Sequence, residues 1–458
     1  MLLATAHAEC PSRVRPIRRL LGAVVGLVVL ATGSPGASPA GAAPRGDDAR
    51  PGGLVKSFGE SGRRLDDVSG GKRDVGYSVA VQPDGKILVG GNTVAPDGTG
   101  TMIVVRYDRS GRRDRTFGKK GIARARNCYG GFGIEVLESG KFLVAGGCDS
   151  ELGLARFSKN GELDRSFGDQ GSAFAPINGQ SIAKDIAVDP DGKVTLAGET
   201  RNAVTGGYAV AMARFLPNGE LDTSFSGDGH LFTTYGEDTY ARGYGVDLQS
   251  DGKAIVVGEV GQSWILSRFT VDGQIDTTFG VNGVEYRGPV SVGVAHAVEV
   301  LPNDKILAAG TSFDGDGFRM AAVRSQPNGE TDTSFGDEGL AEATIRNPDG
   351  EEEAWAMGRD SKGRILMAGY TNFGPAQNRG RPRFALARLR PNGQLDRGFG
   401  GDGTVRIDMR PKLNRHHEDL ATAVAAAPNG DAVVAGYSEP KPGKPEDVAI
   451  ARVRGERR

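Results

Sequence analysis

Short runs of alternating apolar and polar residues, each followed by a turn signal, fill most of the chain. Residues 77–81 (YSVAV) alternate, residues 82–85 (QPDG) are typical of a turn, and residues 86–89 (KILV) continue the apolar pattern. This arrangement predicts a β-hairpin. Residues 102–107 (MIVVRY) predict a third strand, and the stretch after Gly121 predicts a fourth. The unit lacks the 3.6-residue apolar period of a helix, so we predict an all-β protein.

Three phrases recur along the chain. The first, LDRSFGDQG at residues 163–171, contains a phenylalanine that occurs in seven copies: Phe58, Phe117, Phe167, Phe225, Phe279, Phe335 and Phe399. The second, VQPDGKILVGG at residues 81–91, carries the hairpin turn. The third ends in an arginine, at Arg106, Arg156, Arg214, Arg268, Arg324, Arg388 and Arg452. Seven copies of a four-stranded unit predict a seven-bladed β-propeller. A β-sandwich, the alternative, has no reason to repeat so regularly.

The two ends of the repeat array predict how the ring closes. Residues 57–68 contain the turn phrase and a fourth strand, whereas residues 448–454 contain a third strand. The last blade therefore lacks its outer strand, and the N-terminal segment supplies it. This pairing removes the open sheet edges that a circular array cannot leave bare. We assign residues 54–458 to the propeller.

These phrases resemble the delta-60 repeat family, a β-propeller-type repeat found mostly in exported bacterial proteins. The matching segments are LDxSFGxxG, DGKilvaG and alaRf, and together they extend over residues 54–458. The resemblance implies the propeller fold. It implies no particular chemistry, since the family has no established common activity. The strand order is also similar, more loosely, to propellers of the NHL and gluconolactonase type.

The first 42 residues have the pattern of a secretory signal peptide. Arginines at residues 13–19 precede an apolar run at residues 20–31, and an A-x-A site follows at residues 40–42. A membrane anchor is the alternative, but this run is shorter than the roughly 20 residues that a bilayer requires. We therefore expect a secreted or cell-envelope protein without a membrane span after cleavage, and a flexible lead-in at residues 43–53.

Composition and charge narrow the choice of partners. Glycine accounts for 71 of the 458 residues, which suits many tight turns between short strands. The formal net charge is −1, so the chain lacks the basic surface that nucleic-acid binding requires. We expect a monomer that does not bind nucleic acid.

Two cysteines, Cys128 and Cys148, remain once Cys10 leaves with the signal peptide. The hairpin register of the first blade, transferred to the second, places them almost opposite each other on neighbouring strands. Opposed residues on antiparallel strands lie about 4.5 to 5.5 Å apart at Cα, within the range of a disulfide. We predict a Cys128–Cys148 disulfide. Two free, partly buried thiols are the alternative.

Residues repeated in every blade are interpreted as structural. The Asp of LDxSF, as in Asp164, can accept hydrogen bonds from the following N–H groups and fix the turn. The phenylalanine is predicted to be a buried plug, and the arginine either to snorkel or to pair with a turn carboxylate. The alternative for the Asp-rich loops, such as residues 222–228 and 314–316, is a divalent cation such as calcium. These loops lack the EF-hand spacing.

Function is sought on the face where the blades differ. Long variable loops occur at residues 371–383, 410–419 and 437–447. Counting back from each hairpin turn gives one residue per blade near the mouth of the central channel: Tyr77, Phe132, Lys184, Tyr244, His296, Trp355 and Thr422. Tyr77, Lys184, Tyr244, His296 and Trp355 are the candidate ligand-binding residues, because such side chains around a pore could stack on a sugar or hold a peptide. Packing between blades is the alternative, and we favour it for Phe132.

Enzyme signatures are sparse. The sequence contains no G-x-S-x-G, HExxH, CxxC or P-loop motif. The ligand-type cluster at residues 416–419 (HHED) is interpreted as structural or incidental surface charge, and residues 351–353 (EEE) as a solvated acidic tip. Lactonase-like propellers place a metal in the channel, and a resemblance to them makes Asp247 and Glu299 weak metal candidates.

Two functional classes follow from these observations. The first is a secreted non-catalytic binding or adhesion propeller that presents variable loops to a glycan, a cell-wall component or a protein. The second is a metal-dependent hydrolase or lyase with its site in the central channel. A purely structural role in the envelope is a third.

Overall fold

The computed structural model describes residues 50–177, 180–201, 206–235, 240–287, 292–313, 317–345, 351–372, 381–411, 417–439 and 444–456. These residues form 28 β-strands in seven four-stranded antiparallel sheets. The fold is the predicted seven-bladed β-propeller, and the described ranges contain no helix. Accordingly, no helix in these ranges is long and apolar enough to cross a membrane.

The strands are numbered in chain order, and each blade contains four of them from the channel outward. Blade 1 contains β2 (Arg73–Val81), β3 (Ile87–Val94), β4 (Gly100–Tyr107) and β5 (Ile122–Ala125). Blade 2 contains β6 (Cys128–Val136), β7 (Phe142–Cys148), β8 (Glu151–Phe157) and β9 (Ser172–Ala175). Blade 3 contains β10 (Ser181–Val188), β11 (Val194–Arg201), β12 (Tyr208–Phe215) and β13 (His230–Thr233). Blade 4 contains β14 (Ala241–Leu248), β15 (Ala254–Val260), β16 (Ser263–Phe269) and β17 (Val284–Arg287).

The remaining three blades continue this order. Blade 5 contains β18 (Val292–Val300), β19 (Ile306–Phe313), β20 (Phe318–Ser325) and β21 (Leu340–Ala343). Blade 6 contains β22 (Glu351–Arg359), β23 (Ile365–Asn372), β24 (Arg383–Leu389) and β25 (Thr404–Ile407). Blade 7 contains β26 (Asp419–Ala426), β27 (Ala432–Ser438), β28 (Asp447–Val453) and the N-terminal strand β1 (Arg63–Asp66).

The ring closes as predicted, through β1 on the outside of blade 7. β1 pairs antiparallel with β28, from Arg63 opposite Ala451 to Asp66 opposite Val448. The end of the predicted lead-in also takes part. The Gly52 N–H donates to the Arg454 carbonyl at 2.7 Å. The closure therefore uses backbone hydrogen bonds from both ends of the propeller.

The hydrophobic core is divided between neighbouring blades. One cluster joins Phe58 and Ile450 of blade 7 to Ile87 and Val105 of blade 1, and all four side chains are buried. This packing follows from the sheets standing face to face around the channel, since each blade buries its apolar residues against the next. The seven repeated phenylalanines are buried, which confirms their interpretation as plugs.

The repeated arginine forms a contact that we call the arginine latch, made of the arginine, the Asp of LDxSF and the plug phenylalanine. In blade 1, Arg106 Nε lies 3.0 Å from Asp114 Oδ2, and its guanidinium lies 4.4 Å from the centre of the Phe117 ring. Arg106 Nη1 also donates to the Lys159 carbonyl of blade 2 at 2.7 Å. Each latch thus ties one blade to the next. The pairing interpretation of the arginine is confirmed.

The latch in blade 7 has a different carboxylate. Val55 stands at the position of the latch aspartate, and the acid comes instead from Asp431 in the turn between β26 and β27. Arg452 Nε lies 3.0 Å from Asp431 Oδ2. Arg452 Nη1 donates to the Arg109 carbonyl of blade 1 at 3.2 Å. The seventh latch therefore ties the last blade of the ring to the first.

Two sets of turns share one face of the propeller. The lysine of the hairpin turn contacts the latch aspartate of the same blade, as in Lys86–Asp114 at 3.2 Å and Lys193–Asp222 at 2.8 Å. Burial acts to raise the pKa of Asp114, but hydrogen bonds from Thr116 and Lys86, with the charge of Arg106, lower it to about 2. We call this the turn face. The opposite face carries the connections between the second and third strands and between blades.

Cys128 and Cys148 form the predicted disulfide. They lie directly opposite each other on β6 and β7, with their Cα atoms 4.0 Å apart, and both are buried. The bond closes the open end of the blade 2 hairpin, on the face opposite the turns.

Candidate functional site

Each of the seven innermost strands contains a β-bulge. In β2, Gly76 pairs with Gly91 and Ser78 pairs with Gly90, so Tyr77 has no partner on β3. The same shift leaves one residue unpaired in the other blades, except that β6 skips Gly131 as well. The bulge residues, which we call the bulge ring, are Tyr77, Phe132, Lys184, Tyr244, His296, Trp355 and Thr422. These are the seven residues that the count from the hairpin turns selects. They lie in the middle of the innermost strands, as Tyr77 does in β2 and Trp355 in β22, and not near the channel mouth as predicted.

A repeated glycine makes the bulge possible. In blade 1 a Cβ atom on Gly91 would lie 2.0 Å from the Val75 carbonyl oxygen, which is closer than any side chain tolerates. Gly258 of blade 4 and Gly369 of blade 6 are equally crowded, each by a carbonyl of the bulged strand. The last glycine of the DGKilvaG phrase therefore allows the innermost strand to bend and re-aim one side chain per blade.

Neighbouring members of the bulge ring touch across the blade boundaries. The ring centres of Tyr77 and Phe132 are 4.5 Å apart, and Lys184 Nζ lies 4.6 Å from the centre of the Phe132 ring. Lys184 also pairs with Glu199 at 3.2 Å. Glu199 in turn lies 3.0 Å from Arg242 Nε. Blades 1 to 4 are thus linked through a continuous aromatic and charged chain.

The contacts continue around the other side of the ring. The centres of the Tyr244 and His296 rings are 4.9 Å apart, and those of His296 and Trp355 are 6.4 Å apart. The Tyr244 hydroxyl donates to Glu259 at 3.0 Å, and Trp355 Nε1 donates to Glu353 at 2.8 Å. The polar ends of both rings are therefore held by carboxylates.

The seventh member closes the ring with a hydrogen bond. Thr422 Oγ1 donates to the Gly76 carbonyl at 2.8 Å, across the boundary between blades 7 and 1. The structure thus brings Tyr77, Lys184, His296 and Trp355 together as half-buried side chains, whereas Tyr244 is 7% exposed. Packing between blades and presentation of aromatic faces coexist at these positions.

His296 is neutral at physiological pH. Burial lowers the pKa of its imidazole to about 4, and the positive charge of Lys184 acts in the same direction. The imidazole can therefore offer an aromatic surface and a hydrogen-bond acceptor without a charge.

The two weak metal candidates, Asp247 and Glu299, both have partners in the protein. Asp247 Oδ2 accepts the Val300 N–H at 2.7 Å, and Glu299 Oε1 lies 2.7 Å from Arg359 Nη2. Among the described residues, the group whose ligand atoms lie within reach of one metal ion is a different one: Asp408, His417 and Asp419.

Two further carboxyl groups of the innermost strands were missed by the sequence reasoning. Burial, together with the negative charge of Asp247, raises the pKa of Glu135 to about 7. Burial is also the main cause that raises the pKa of Asp185 to about 7, even though its Oδ2 accepts the Val246 N–H at 3.1 Å. The available signal was their inward position on strands next to the channel.

The acidic run at residues 351–353 is not a solvated tip. It lies within β22, where Glu352 is buried and accepts the Ile345 N–H at 2.7 Å. Glu353 holds Trp355, as described above, and accepts a hydrogen bond from the Tyr370 hydroxyl at 2.6 Å. The prediction was wrong because β22 already begins at Glu351, before its bulge at Trp355, and because this part of the strand packs against blade 5.

Residues 416–419 were interpreted as structural or incidental surface charge, and for two of them the structure shows buried positions rather than surface charge. His417 is 1% exposed and Asp419 is 0% exposed, at the boundary between blades 6 and 7. His416 lies outside the described residues, as do residues 314–316, residues 1–49 and most of the variable loop at residues 371–383.

Comparison with a family model identifies the repeat. Five segments, residues 82–117, 190–225, 249–279, 301–335 and 363–399, match the model described as "Domain of unknown function (DUF5122) beta-propeller". The chain carries the repeats of a β-propeller family. In this propeller each matched segment ends at a plug phenylalanine. A search of curated proteins found no match.

Three solved structures illustrate the similarity of the fold. The PQQ-bound aldose sugar dehydrogenase from Streptomyces coelicolor is 12% identical, with 67% of this chain and 92% of that chain covered and a TM-score of 0.40. The polysaccharide lyase Uly1 is 10% identical, with 89% and 94% covered and a TM-score of 0.45. A GH43_1 enzyme from Xanthomonas citri is 11% identical, with 83% and 87% covered and a TM-score of 0.33. Similarity at this level concerns the fold and not the activity.

Proposed function

We propose that this protein is a secreted, non-catalytic binding propeller of the delta-60 type, with its ligand site at the bulge ring. The ligand class that suits the ring best is a glycan, as found in cell-wall material, and a protein ligand is the second choice. The observation that carries the proposal is the bulge itself. One backbone position, repeated seven times, holds six different residue types, five of its seven residues being aromatic or histidine.

The way the aromatic side chains are held supports binding. Glu353 and Glu259 accept hydrogen bonds from Trp355 and Tyr244, so the polar ends of these rings are fixed by the protein. Rings fixed before binding lose little conformational entropy when a ligand packs on their faces. Lys184, although paired with Glu199 at 3.2 Å, adds N–H donors that suit the hydroxyl groups of a sugar.

A glycan array and a panel of cell-wall fractions test the proposal. We expect Tyr77→Ala and Trp355→Ala each to weaken binding by roughly tenfold or more, as truncation of an aromatic hot spot does. Tyr286→Ala is the matched control, because Tyr286 is an aromatic side chain on the outer strand of blade 4 and is 54% exposed. Unchanged binding in both ring variants would place the ligand elsewhere.

Export is tested separately from binding. Expression of the full chain in a bacterial host with a standard secretion pathway should give a processed protein outside the cytoplasm. Mass spectrometry should place its new N-terminus near residue 43. An unprocessed cytoplasmic chain would contradict the secreted assignment and leave the binding test intact.

A hydrolase or lyase with its site in the channel is the second candidate. The observation that favours it is the pair Glu135 and Asp185, whose raised pKa values suit proton transfer near neutral pH. Incubation of the glycans found by the array, followed by product analysis with and without EDTA, separates the two candidates. Cleavage that is lost in Glu135→Gln would favour the enzyme.

A further inference from the structure

The boundary between blades 6 and 7 holds a histidine and two aspartates in one cluster. His417 Nε2 lies 3.1 Å from Asp408 Oδ1 and 3.5 Å from Asp419 Oδ2. His417 and Asp419 are buried, whereas the Asp408 side chain keeps 39% of its surface exposed. The cluster lies on the face opposite the turns, because Asp408 follows β25 and Asp419 begins β26.

The distances fit a tetrahedral metal ion. Zinc binds histidine nitrogen at about 2.0–2.1 Å and carboxylate oxygen at about 2.0–2.2 Å, which places two ligand atoms of a tetrahedron about 3.3 Å apart. The separations from His417 Nε2 to the two carboxylates bracket that value. The three ligand atoms all lie within 4.8 Å of one another.

Two buried polar atoms of the cluster have no hydrogen-bond partner. They are Asp419 Oδ1 and His417 Nδ1, the second polar atom of each side chain, whereas Asp419 Oδ2 and His417 Nε2 face each other at 3.5 Å. Both side chains have no more than 1% of their surface exposed. The Ser438 hydroxyl lies beside the Asp419 carboxylate, and Asp419 Oδ2 accepts the Met409 N–H at 3.1 Å. A buried carboxylate with an unused oxygen retains capacity to bind a cation.

The charge of the cluster also favours a cation. Arg383 Nε lies 3.7 Å from a carboxylate oxygen of both Asp408 and Asp419, and the Nε has no hydrogen-bond acceptor. Its Nη1 is held by the carbonyls of His417 and Pro382. The two aspartates outnumber the one arginine, so their carboxylates carry an excess negative charge that a divalent ion would offset.

Neighbouring blade boundaries show that the fold does not require this histidine. Between blades 7 and 1, the Val68 N–H donates to Asp74 Oδ2 at 2.8 Å, as the Met409 N–H does to Asp419. His417 lies two residues before Asp419 in the sequence. The residue two positions before Asp74 is Lys72, and the residue two positions before Glu352 is Gly350. The hydrogen bond from a backbone N–H to this carboxylate is therefore a structural feature of both boundaries, and His417 is an additional residue at the boundary between blades 6 and 7.

We propose that Asp408, His417 and Asp419 form a site for a divalent transition-metal ion, with zinc as the ion that suits the ligand set. Nitrogen and carboxylate ligands together favour zinc over calcium, which prefers six to eight oxygen ligands. The site lies apart from the bulge ring, at the boundary where β26 enters blade 7. The bound ion would tie blade 6 to blade 7 and fix the start of the innermost strand β26.

Isothermal titration of the EDTA-treated, purified protein with zinc chloride tests the site. We expect one zinc ion per chain, and a loss of affinity of more than roughly tenfold in His417→Ala and in Asp408→Asn. His230→Ala is the matched control, because His230 Nδ1 lies 3.5 Å from a single carboxylate, that of Asp228. The control should bind zinc as the parent does. Its thermal midpoint should also rise with zinc, as that of the parent should.

A second measurement covers the case in which His417→Ala does not fold. The cobalt(II) form of the parent should show the visible absorption of a tetrahedral centre, and Asp408→Asn, altered at a partly exposed residue, should lose it. A parent that binds no zinc, or a folded His417→Ala that binds zinc like the parent, would overturn the proposal. So would saturation by calcium alone, because that outcome would assign the acidic residues to a different kind of ion.

Discussion

The turn face and the bulge ring use the same seven-fold backbone in different ways. On the turn face, six blades carry the same latch of arginine, aspartate and phenylalanine, with Nε to Oδ2 distances of 2.6 to 3.0 Å. In the bulge ring the backbone feature, the bulge, is repeated, but the side chain of the bulge residue changes from blade to blade. A residue needed in every blade serves the fold. A position whose backbone alone is repeated leaves its side chain available for another purpose.

Blade 7 shows that the turn face preserves an interaction rather than a residue. Val55 stands at the position of the latch aspartate, and Asp431 stands at the position of the hairpin-turn lysine. Arg452 therefore still pairs with a carboxylate, but this carboxylate comes from the hairpin turn. The bulge ring shows no such compensation. Tyr77, Lys184 and Thr422 share a position and have different chemistry.

The largest expected effect comes from removing the closure. Deletion of residues 43–68 removes β1 and the buried side chains of Leu54, Phe58 and Val68. Each such side chain contributes roughly 1.5–3 kcal/mol, and a whole domain is stable by only about 5–15 kcal/mol. We expect the truncated chain to be largely unfolded or aggregated at 37 °C by circular dichroism and size exclusion. A thermal midpoint within a degree or two of the parent's would contradict the closure.

An exchange of charges in blade 7 tests the latch. Asp431→Lys leaves Arg452 without its carboxylate and beside a second cation, and Asp431 is 2% exposed. Breaking a buried ion pair in this way should cost about 3–5 kcal/mol in the free energy of unfolding, measured by denaturant titration.

The second variant of this exchange is a rescue. Asp431→Lys combined with Val55→Asp recreates the lysine, aspartate and arginine that blades 1 to 5 share. We expect the double variant to recover at least half of the stability lost in Asp431→Lys. A double variant less stable than both single variants would show that the latch cannot be moved between the two turns.

Removal of the disulfide is expected to have a smaller effect. In the chain-entropy model, the bond between Cys128 and Cys148 closes a loop of 20 residues and contributes about 3 kcal/mol. The variant Cys128→Ala with Cys148→Ala should therefore have a lower thermal midpoint but the same ligand affinity at 25 °C. Reduction of the parent with dithiothreitol should reproduce the shift, and an unchanged midpoint in both experiments would contradict it.

The pH dependence of stability distinguishes the bulge ring from the turn face. The pKa of His296, lowered to about 4, lies below that of an unfolded histidine, so the unfolded chain binds more protons between about pH 6.5 and 4. His296 therefore destabilises the protein as pH falls through this window. The latch residues Asp114 and Asp276, with pKa values of about 2, lose their contribution only as pH falls below about 4.

The variant His296→Phe should remove the first of these effects. Relative to the parent, it should gain roughly 2 kcal/mol in the free energy of unfolding between pH 6.5 and 4.5. The comparison must be a difference from the parent, because Glu135, Asp185 and Glu352, whose pKa values are raised to about 7, act in the opposite direction over the same window. A constant difference across this pH range would mean that His296 has the same pKa in the folded and the unfolded chain.

The fold, the closure and the disulfide could be predicted because they depend on local patterns repeated many times. The hairpin turn at residues 82–85 fixes the register of its two strands. This register, transferred to blade 2, placed Cys128 opposite Cys148, and the count from the turn selected Tyr77 as one of the seven equivalent residues. The bulge itself was not predicted. Its signal was the crowded glycine of each second strand, for example Gly91.

What could not be predicted depends on contacts between blades. Glu352 and His417 lie in hydrophilic stretches, and only the packing of a neighbouring blade shows that they are buried. The raised pKa values of Glu135 and Asp185 likewise reflect their burial first, and then negative charges on other innermost strands. A repeat of about 55 residues predicts the blade, but the pairing of unlike side chains across its boundaries requires the assembled ring.

In this account, the latch residues provide stability and the bulge ring provides binding. The most direct test of the account measures stability and binding in the same two variants. Arg214→Ala removes a latch, and Trp355→Ala removes a member of the bulge ring. We predict that Arg214→Ala lowers the thermal midpoint and keeps its affinity for the best glycan of the array at 15 °C, whereas Trp355→Ala keeps a midpoint near that of the parent and loses binding by roughly tenfold or more. A Trp355→Ala protein that is destabilised as much as Arg214→Ala and still binds the glycan like the parent would contradict the account.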